Sequence, residues 1–453
     1  MSPFFAAIIL HGLCLANGIN FTTIYEWDKF DFIWPPASDS SMGPIKDEYR
    51  PENVFPLFMA VFEERLLLSL GMDSGIPATL VWLPTRDSDT SSSPPKLAPF
   101  LYWKYHKKGN CNTIQVAKGM KTDTDGRLWV LDNGSSVCQA KLLIFDLVNN
   151  YKTEHAHRFP HKVVSHSHNE RWLLDIVLEK TTDDYLAYIV DSESEHIVVY
   201  SRETDKSWSV ETTGKRWVTL ALSPNREARQ LYLARLYSNE LYSVSVSELK
   251  NGGGSAAVKL IGKWTEKPYR MVIDSSNVLY AAFFNQTYLS KWNISEPFRE
   301  QQCHEVGRLD TNWPFTFALD ASNTLWMTER NQSGAGNRFK LLKADVVARS
   351  YLISSSTESI PDPVVASTTP QVNVNGKATE VVRSSQTPTT SKTGTPRPAL
   401  QLNETSGAPY EKNHVLTRVF DDGNHNHHLP CKGERARARS EPPLKCEPSS
   451  STS

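Results

Sequence analysis

The chain of 453 residues carries 49 Lys and Arg against 50 Asp and Glu, a formal net charge of -1. So even a balance excludes a general affinity for nucleic-acid phosphates or anionic lipid surfaces, because each needs a basic excess. The length suits one large all-β domain with a tail, or two to three average domains.

In chain order, residues 1–18 come first, with the apolar run Phe4–Leu10 followed by Leu13-Cys14-Leu15-Ala16-Asn17-Gly18. The apolar core is too short to span a bilayer and small residues follow it, so it reads as a signal peptide cut near Ala16 or Gly18. It departs from the usual pattern in having no Lys or Arg ahead of the apolar run. No later segment is long and apolar enough for a membrane helix, and the chain is expected to be secreted, extracellular and free of membrane. Six Asn-x-Ser/Thr sequons, at Asn20, Asn133, Asn285, Asn293, Asn331 and Asn403, fit a glycoprotein. With Cys14 removed, Cys111, Cys138, Cys303, Cys431 and Cys446 remain, an odd set that leaves at least one thiol unpaired within the chain.

Six short apolar runs follow, each usually preceded by a polar turn with Gly, Asp or Asn. They begin at Arg65, Arg127, Tyr185, Gln230, Val278 and Thr324. A second strand-like run often follows closely: Lys141-Leu142-Leu143-Ile144-Phe145-Asp146 trails Arg127–Leu131, and His196–Tyr200 and Ser207–Val210 trail Tyr185–Val190. Strand-turn-strand repeated at roughly 45–60 residues is the signature of four-stranded propeller blades. A pair of β-sandwiches would not repeat one pattern six times. Residues 19–350 are therefore expected to form an all-β, six-bladed β-propeller. Residues 351–453, rich in Ser, Thr and Pro, bury too little apolar surface to offset their ordering entropy, and read as a disordered tail open to O-glycosylation.

Several blocks then resemble the Yellow/major royal jelly family. They include Tyr25-Glu26-Trp27 with Trp34-Pro35, Tyr49-Arg50-Pro51-Glu52-Asn53, Ile76-Pro77-Ala78-Thr79-Leu80, and Asp125-Gly126-Arg127-Leu128-Trp129-Val130-Leu131-Asp132-Asn133-Gly134. Leu174-Asp175-Ile176-Val177, Leu220-Ala221-Leu222-Ser223-Pro224, Trp292-Asn293 and Asn312-Trp313-Pro314 continue the order as far as about residue 345. The resemblance implies a disulfide between Cys111 and Cys138, worth ~3 kcal/mol in the chain-entropy model. A second family pair is replaced by Thr182 and Lys291, and the family's longer loop between Val210 and Leu220 is shortened here.

Enzyme signatures are missing: no Gly-x-Ser-x-Gly elbow, phosphate loop or His-Glu-x-x-His is found. Asp123, Asp125 and Asp132 sit where propeller turns need side chains that cap backbone groups. His161, His166 and His168 read as a solvated loop without a third metal ligand, and His425-Asn426-His427-His428 with Cys431 as part of the polar tail. No cofactor and no metal are called for. In salivary members of the family the channel takes biogenic amines, and the resemblance places contacts at Thr316, Glu329 and Asn331. Glu329 would pair with a ligand ammonium, or else with Arg330 or Arg338. A glycan on Asn331 would argue against a buried contact. Three readings follow: a secreted binder of a small aromatic amine or catechol, linked to pigment or cuticle; a dopachrome-converting, tautomerase-like enzyme; and a structural partner of cuticle or secreted matrix components.

Overall fold

The computed structural model describes residues 19–36, 46–71, 75–86, 93–284, 286–305, 313–320, 322, 324–331 and 338–346, with the side chains of residues 305, 313–315, 330, 331 and 338 excepted. The expected signal peptide and tail lie outside these residues. All of them belong to one unit, Met1–Val364.

The six apolar runs are second strands of six antiparallel four-stranded sheets: β3 (Arg65–Leu70), β7 (Arg127–Asp132), β11 (Tyr185–Asp191), β15 (Gln230–Arg235), β19 (Val278–Phe283) and β23 (Thr324–Asn331). A second strand packs against a neighbouring blade on each face. It therefore reads as a continuous apolar run rather than an alternating one, and β7 is buried along its whole length. Outer strands face water and look different: β9 (Lys152–Arg158) is Lys-Thr-Glu-His-Ala-His-Arg, with mostly exposed residues.

Inward of each second strand lies the strand that lines the central channel. These are β2 (Pro56–Phe62), β6 (Ala117–Thr122), β10 (Leu173–Lys180), β14 (Trp217–Leu222), β18 (Pro268–Ile273) and β22 (Trp313–Leu319), packed side by side around the ring. The ring closes through sequence-distant pairing: β1 (Thr22–Trp27) adds antiparallel to β24 (Arg338–Asp345) as the fourth strand of the sixth blade. The six-bladed propeller is thus as the repeat pattern predicts, and the closing strand is what that pattern does not reveal.

Two recurring devices set the shape of the channel. Each inner strand carries one extra residue near its start, where its register against the second strand shifts: between Pro56 and Phe58, Ala117 and Met120, Leu173 and Ile176, Trp217 and Thr219, Pro268 and Arg270, and Pro314 and Thr316. Such bulges bend a strand and re-aim its side chains. At the other end, an aspartate folds the turn into the second strand. Asp123 Oδ1 accepts from the Asp125 and Arg127 N–H groups, and Oδ2 from Arg127 Nε and Trp129 Nε1. Asp274 repeats this with Ser276, Val278 and the Tyr280 hydroxyl, and Asp320 with Ser322, Thr324 and Trp326. The turn requires a positive φ three residues later, supplied by Gly126 (+80°) and Asn277 (+67°). The capping role expected for Asp123 is what the geometry displays.

Within the second blade, Cys111 and Cys138 are bonded, tying the segment before β6 to the loop after β7. Cys303 is a free, buried thiol pushed up to about 12 by desolvation. Cys431 and Cys446 lie outside the described residues.

Candidate functional site

Where the inner strands end, the channel opens into a cavity of about 470 Å³. Its walls are apolar, with Met59, Val61, Val177, Leu222, Met271 and Leu319 drawn from five of the six inner strands and Lys121 from the sixth. The turns described above form its mouth, with Glu63, Asp125 and Asp320 at the edge.

Lys121 is set apart by what surrounds it. Two other charged side chains of the channel, Asp175 and Arg270, are occupied. Asp175 accepts from the Ile176 N–H, from Thr219 Oγ1 at 2.6 Å and from the Leu220 N–H. Arg270 lies 3.7 Å from the Phe58 ring centroid and donates through Nε and Nη2 to the Leu57 carbonyl, which the first-blade bulge has freed from the ladder. Its Nη1 donates to Tyr269 O. Lys121 makes no such bond among the described residues, and desolvation, helped by the Arg270 charge and opposed by Asp175, lowers its pKa below the usual lysine range. At the mouth, Asp125 is paired with Arg127 and Lys180. Glu63 is exposed on the β2–β3 turn, without a partner among the described residues.

The residues that the family resemblance singles out lie at the opposite end of the inner strands. Thr316 is buried on β22 across from Thr328, whose hydroxyl is buried without a partner among the described residues. Glu329 is 2% exposed and opposite Pro314, with Oε1 3.4 Å from His304 Nε2, while the His304 ring rests on Phe21. Thr316 and Glu329 do not line the 470 Å³ cavity. Asn331 ends β23, and its side chain, like those of Arg330 and Arg338, lies outside the described residues.

Glu329 has counterparts in two other blades. Asp132 opposite Ala117 and Asp191 opposite Leu173 hold the same ladder position just before the bulge. Asp132 accepts from the N–H groups of Gln115, Val116 and Gly134 and pairs with buried Lys141 at 2.9 Å. Asp191 accepts from the Trp172 and Glu193 N–H groups, and burial raises it to about 6. These carboxylates hold the chain as it enters the inner strand.

The other sequence-selected groups scatter. Asn20 is exposed and half-buried Asn293 caps its own turn, whereas Asn133 is 3% exposed and its Oδ1 accepts from the Leu173 N–H. Asn285 and Asn403 lie outside the described residues. The His161 and His166 rings meet at 5.0 Å, His166 bonding Gln139 and the Phe159 carbonyl, and His168 lies apart beside Arg171. Sequence reasoning passed over a tighter group, His155, His157 and Asp205. Its only local signal is the His-x-His alternation on β9.

A family model described as major royal jelly protein matches residues 116–215 and 211–342, half of the chain. The Yellow protein of Drosophila subobscura is 26% identical over 351 residues, covering 67% of this chain and 60% of its own length. That of Drosophila yakuba is 26% identical over 348 residues, covering 67% and 63%. The chain therefore spans about 60% of the length of the relatives it matches. A gluconolactonase from Xanthomonas campestris superposes at a TM-score of 0.44 with 12% identity, over 73% of this chain and 92% of that one. Among the described residues no helix is long and apolar enough to cross a membrane.

Proposed function

The chain belongs to the major royal jelly protein family, and from that premise we propose that it is a secreted propeller whose channel binds a small aromatic amine or catechol in a pigment or cuticle setting. The observation that carries this reading is the cavity: apolar walls wide enough for one aromatic ring system, Lys121 inside with no partner among the described residues, and carboxylates at the mouth. A ring between Met59 and Met271 would direct catechol hydroxyls toward Lys121 and an ammonium outward toward Glu63. A charge-assisted hydrogen bond of that kind is worth about 1.5–3 kcal/mol.

Isothermal titration of the secreted protein with dopamine, serotonin and octopamine tests this. Saturable heat that is weakened in Lys121→Met supports binding in the cavity. Heat weakened instead in Thr316→Ala and Glu329→Ala moves the ligand to the opposite end of the channel. No heat with any of the three removes the amine and catechol reading and shifts weight to a structural role among secreted matrix components.

A second reading has one specific observation in its favour. An amine whose pKa is lowered by burial is closer to the range where a group takes and returns protons at neutral pH. Lys121 would then serve a dopachrome tautomerisation as the base. Dopachrome loss faster than with heat-killed protein, and abolished in Lys121→Met, supports it; equal rates retire it.

A further inference from the structure

We propose that His155, His157 and Asp205 form a binding site for a divalent zinc-class cation at the seam between the second and third blades. His155 and His157 stand two apart on β9, so strand alternation turns both imidazoles to one side. A register shift at Glu154, between Thr153 and His155, sets the phase of that alternation. Asp205 comes from the next blade, on the turn between β12 (His196–Ser201) and β13 (Lys206–Glu211), where φ is +50°.

The three donor atoms converge. His155 Nε2 and His157 Nδ1 each lie 2.8 Å from Asp205 Oδ1, and all three ligand atoms fall within 4.8 Å of one another. Zinc bonds to imidazole and carboxylate run about 2.0–2.2 Å, which places tetrahedral ligand atoms ~3.3–3.5 Å apart. Accepting the ion thus requires each nitrogen–oxygen distance to open by roughly half an ångström. The two nitrogens, within 4.8 Å of each other, settle to the same spacing, and both changes are within the reach of side-chain rotation. Two nitrogens and one carboxylate oxygen suit zinc, cobalt or copper and not calcium or magnesium, which take oxygen.

The surroundings resemble the outer shell of a metal centre. His157 Nε2 lies 2.9 Å from Ser207 Oγ, a partner that leaves Nδ1 as the free ligand atom, and the Tyr200 hydroxyl donates to Asp205 Oδ1 at 3.3 Å. His155 and Asp205 are 32% and 53% exposed, so an ion has an entry path and a fourth position facing water. Beside it, Arg202 pairs with Glu154 across the same seam and with Asp184 of its own blade.

Without an ion the same groups are a hydrogen-bonded clasp, and the test must separate the two. Full-length protein carrying His425→Ala, His427→Ala, His428→Ala and Cys431→Ala serves as the parent, which removes the donors of the tail tract. Cobalt titration followed by visible absorption should give one bound equivalent that zinc displaces. His155→Ala and Asp205→Asn should each weaken cobalt binding tenfold or more, and Ser207→Ala by about tenfold. Asn at 205 still accepts from both imidazoles, so it keeps the clasp while losing the anionic ligand. Zinc should raise the thermal midpoint of the parent and leave that of Asp205→Asn unmoved. Either no bound cobalt in the parent, or equal binding in a folded His155→Ala/His157→Ala variant, overturns the site.

Discussion

The two ends of the propeller channel are built from the same six strands and both hold engaged carboxylates, but only one of them surrounds a lysine that has no partner among the described residues. Where the inner strands begin, buried carboxylates are engaged: Asp132 by three N–H groups and Lys141, Asp191 by two N–H groups, and Glu329, the third of the set, beside His304. Where the strands end, apolar walls surround a lysine with no partner among the described residues. Burial of a charged group is therefore not by itself a mark of function. A buried charge whose bonds are all made within the fold supports the fold, and a half-buried one such as Lys121, left without a partner among the described residues, has capacity for a ligand.

The comparison breaks first at Asp132. Truncating it leaves Lys141 charged and three backbone donors unmatched, so Asp132→Ala should cost about 3–5 kcal/mol in chemical denaturation. The affinity of the cavity in the protein that remains folded should not change. A cost under ~1 kcal/mol would remove the structural role assigned to this end. Asp191 gives a smaller effect with a definite sign. Its folded value of about 6 lies above the ordinary 3.8, so the folded state binds the proton more tightly than the unfolded chain. The contribution of Asp191 to stability is therefore greatest below pH ~4, declines as pH rises toward 6, and is level above that. Asp191→Asn keeps an acceptor for Trp172 without the charge. Its stability relative to the parent should rise between pH 4 and 7, by at most about 3 kcal/mol, as read from thermal midpoints across that range. A flat difference would show that Asp191 is not destabilised by burial.

Much of this was legible in the sequence, and what was not has physical causes. Second strands are buried on both faces, so runs such as Leu128-Trp129-Val130-Leu131 stand out, and their repetition gives the blade count. Polar outer strands such as β9 carry no such signal. Nor does β1, whose partner β24 lies at the far end of the domain. The equivalence of Glu329 and Asp132 is also written locally, since Leu325-Trp326-Met327-Thr328-Glu329 repeats Leu128-Trp129-Val130-Leu131-Asp132. Lys121 could not be singled out, because the bulge between Ala117 and Met120 breaks the alternation that would tell Lys118 from Lys121. In the fold Lys118 sits over the Trp172 ring and Lys121 faces the cavity. The His155–His157–Asp205 group was hidden for a similar reason, its third member arriving from another blade.

The remaining predictions sharpen the contrast at the level of single ligand contacts. Lys121→Met should weaken binding of a catechol roughly 10- to 100-fold, the loss of one charge-assisted bond. It should leave the thermal midpoint level or higher, because desolvation already disfavours the charged amine. A variant with a clearly lowered thermal midpoint and unchanged affinity while folded would place Lys121 with the structural charges. Glu329→Gln should have the smallest effect of all. Glutamine keeps the length and an oxygen toward His304, whose approach at 3.4 Å is long for a strong bond, so stability should change by less than about 1 kcal/mol. Dopamine affinity should be unchanged if the ligand occupies the cavity, since Glu329 lies at the other end of the inner strands. A tenfold loss in titration calorimetry, with the fold intact, would instead make the buried carboxylate a ligand contact and reverse the roles of the two ends.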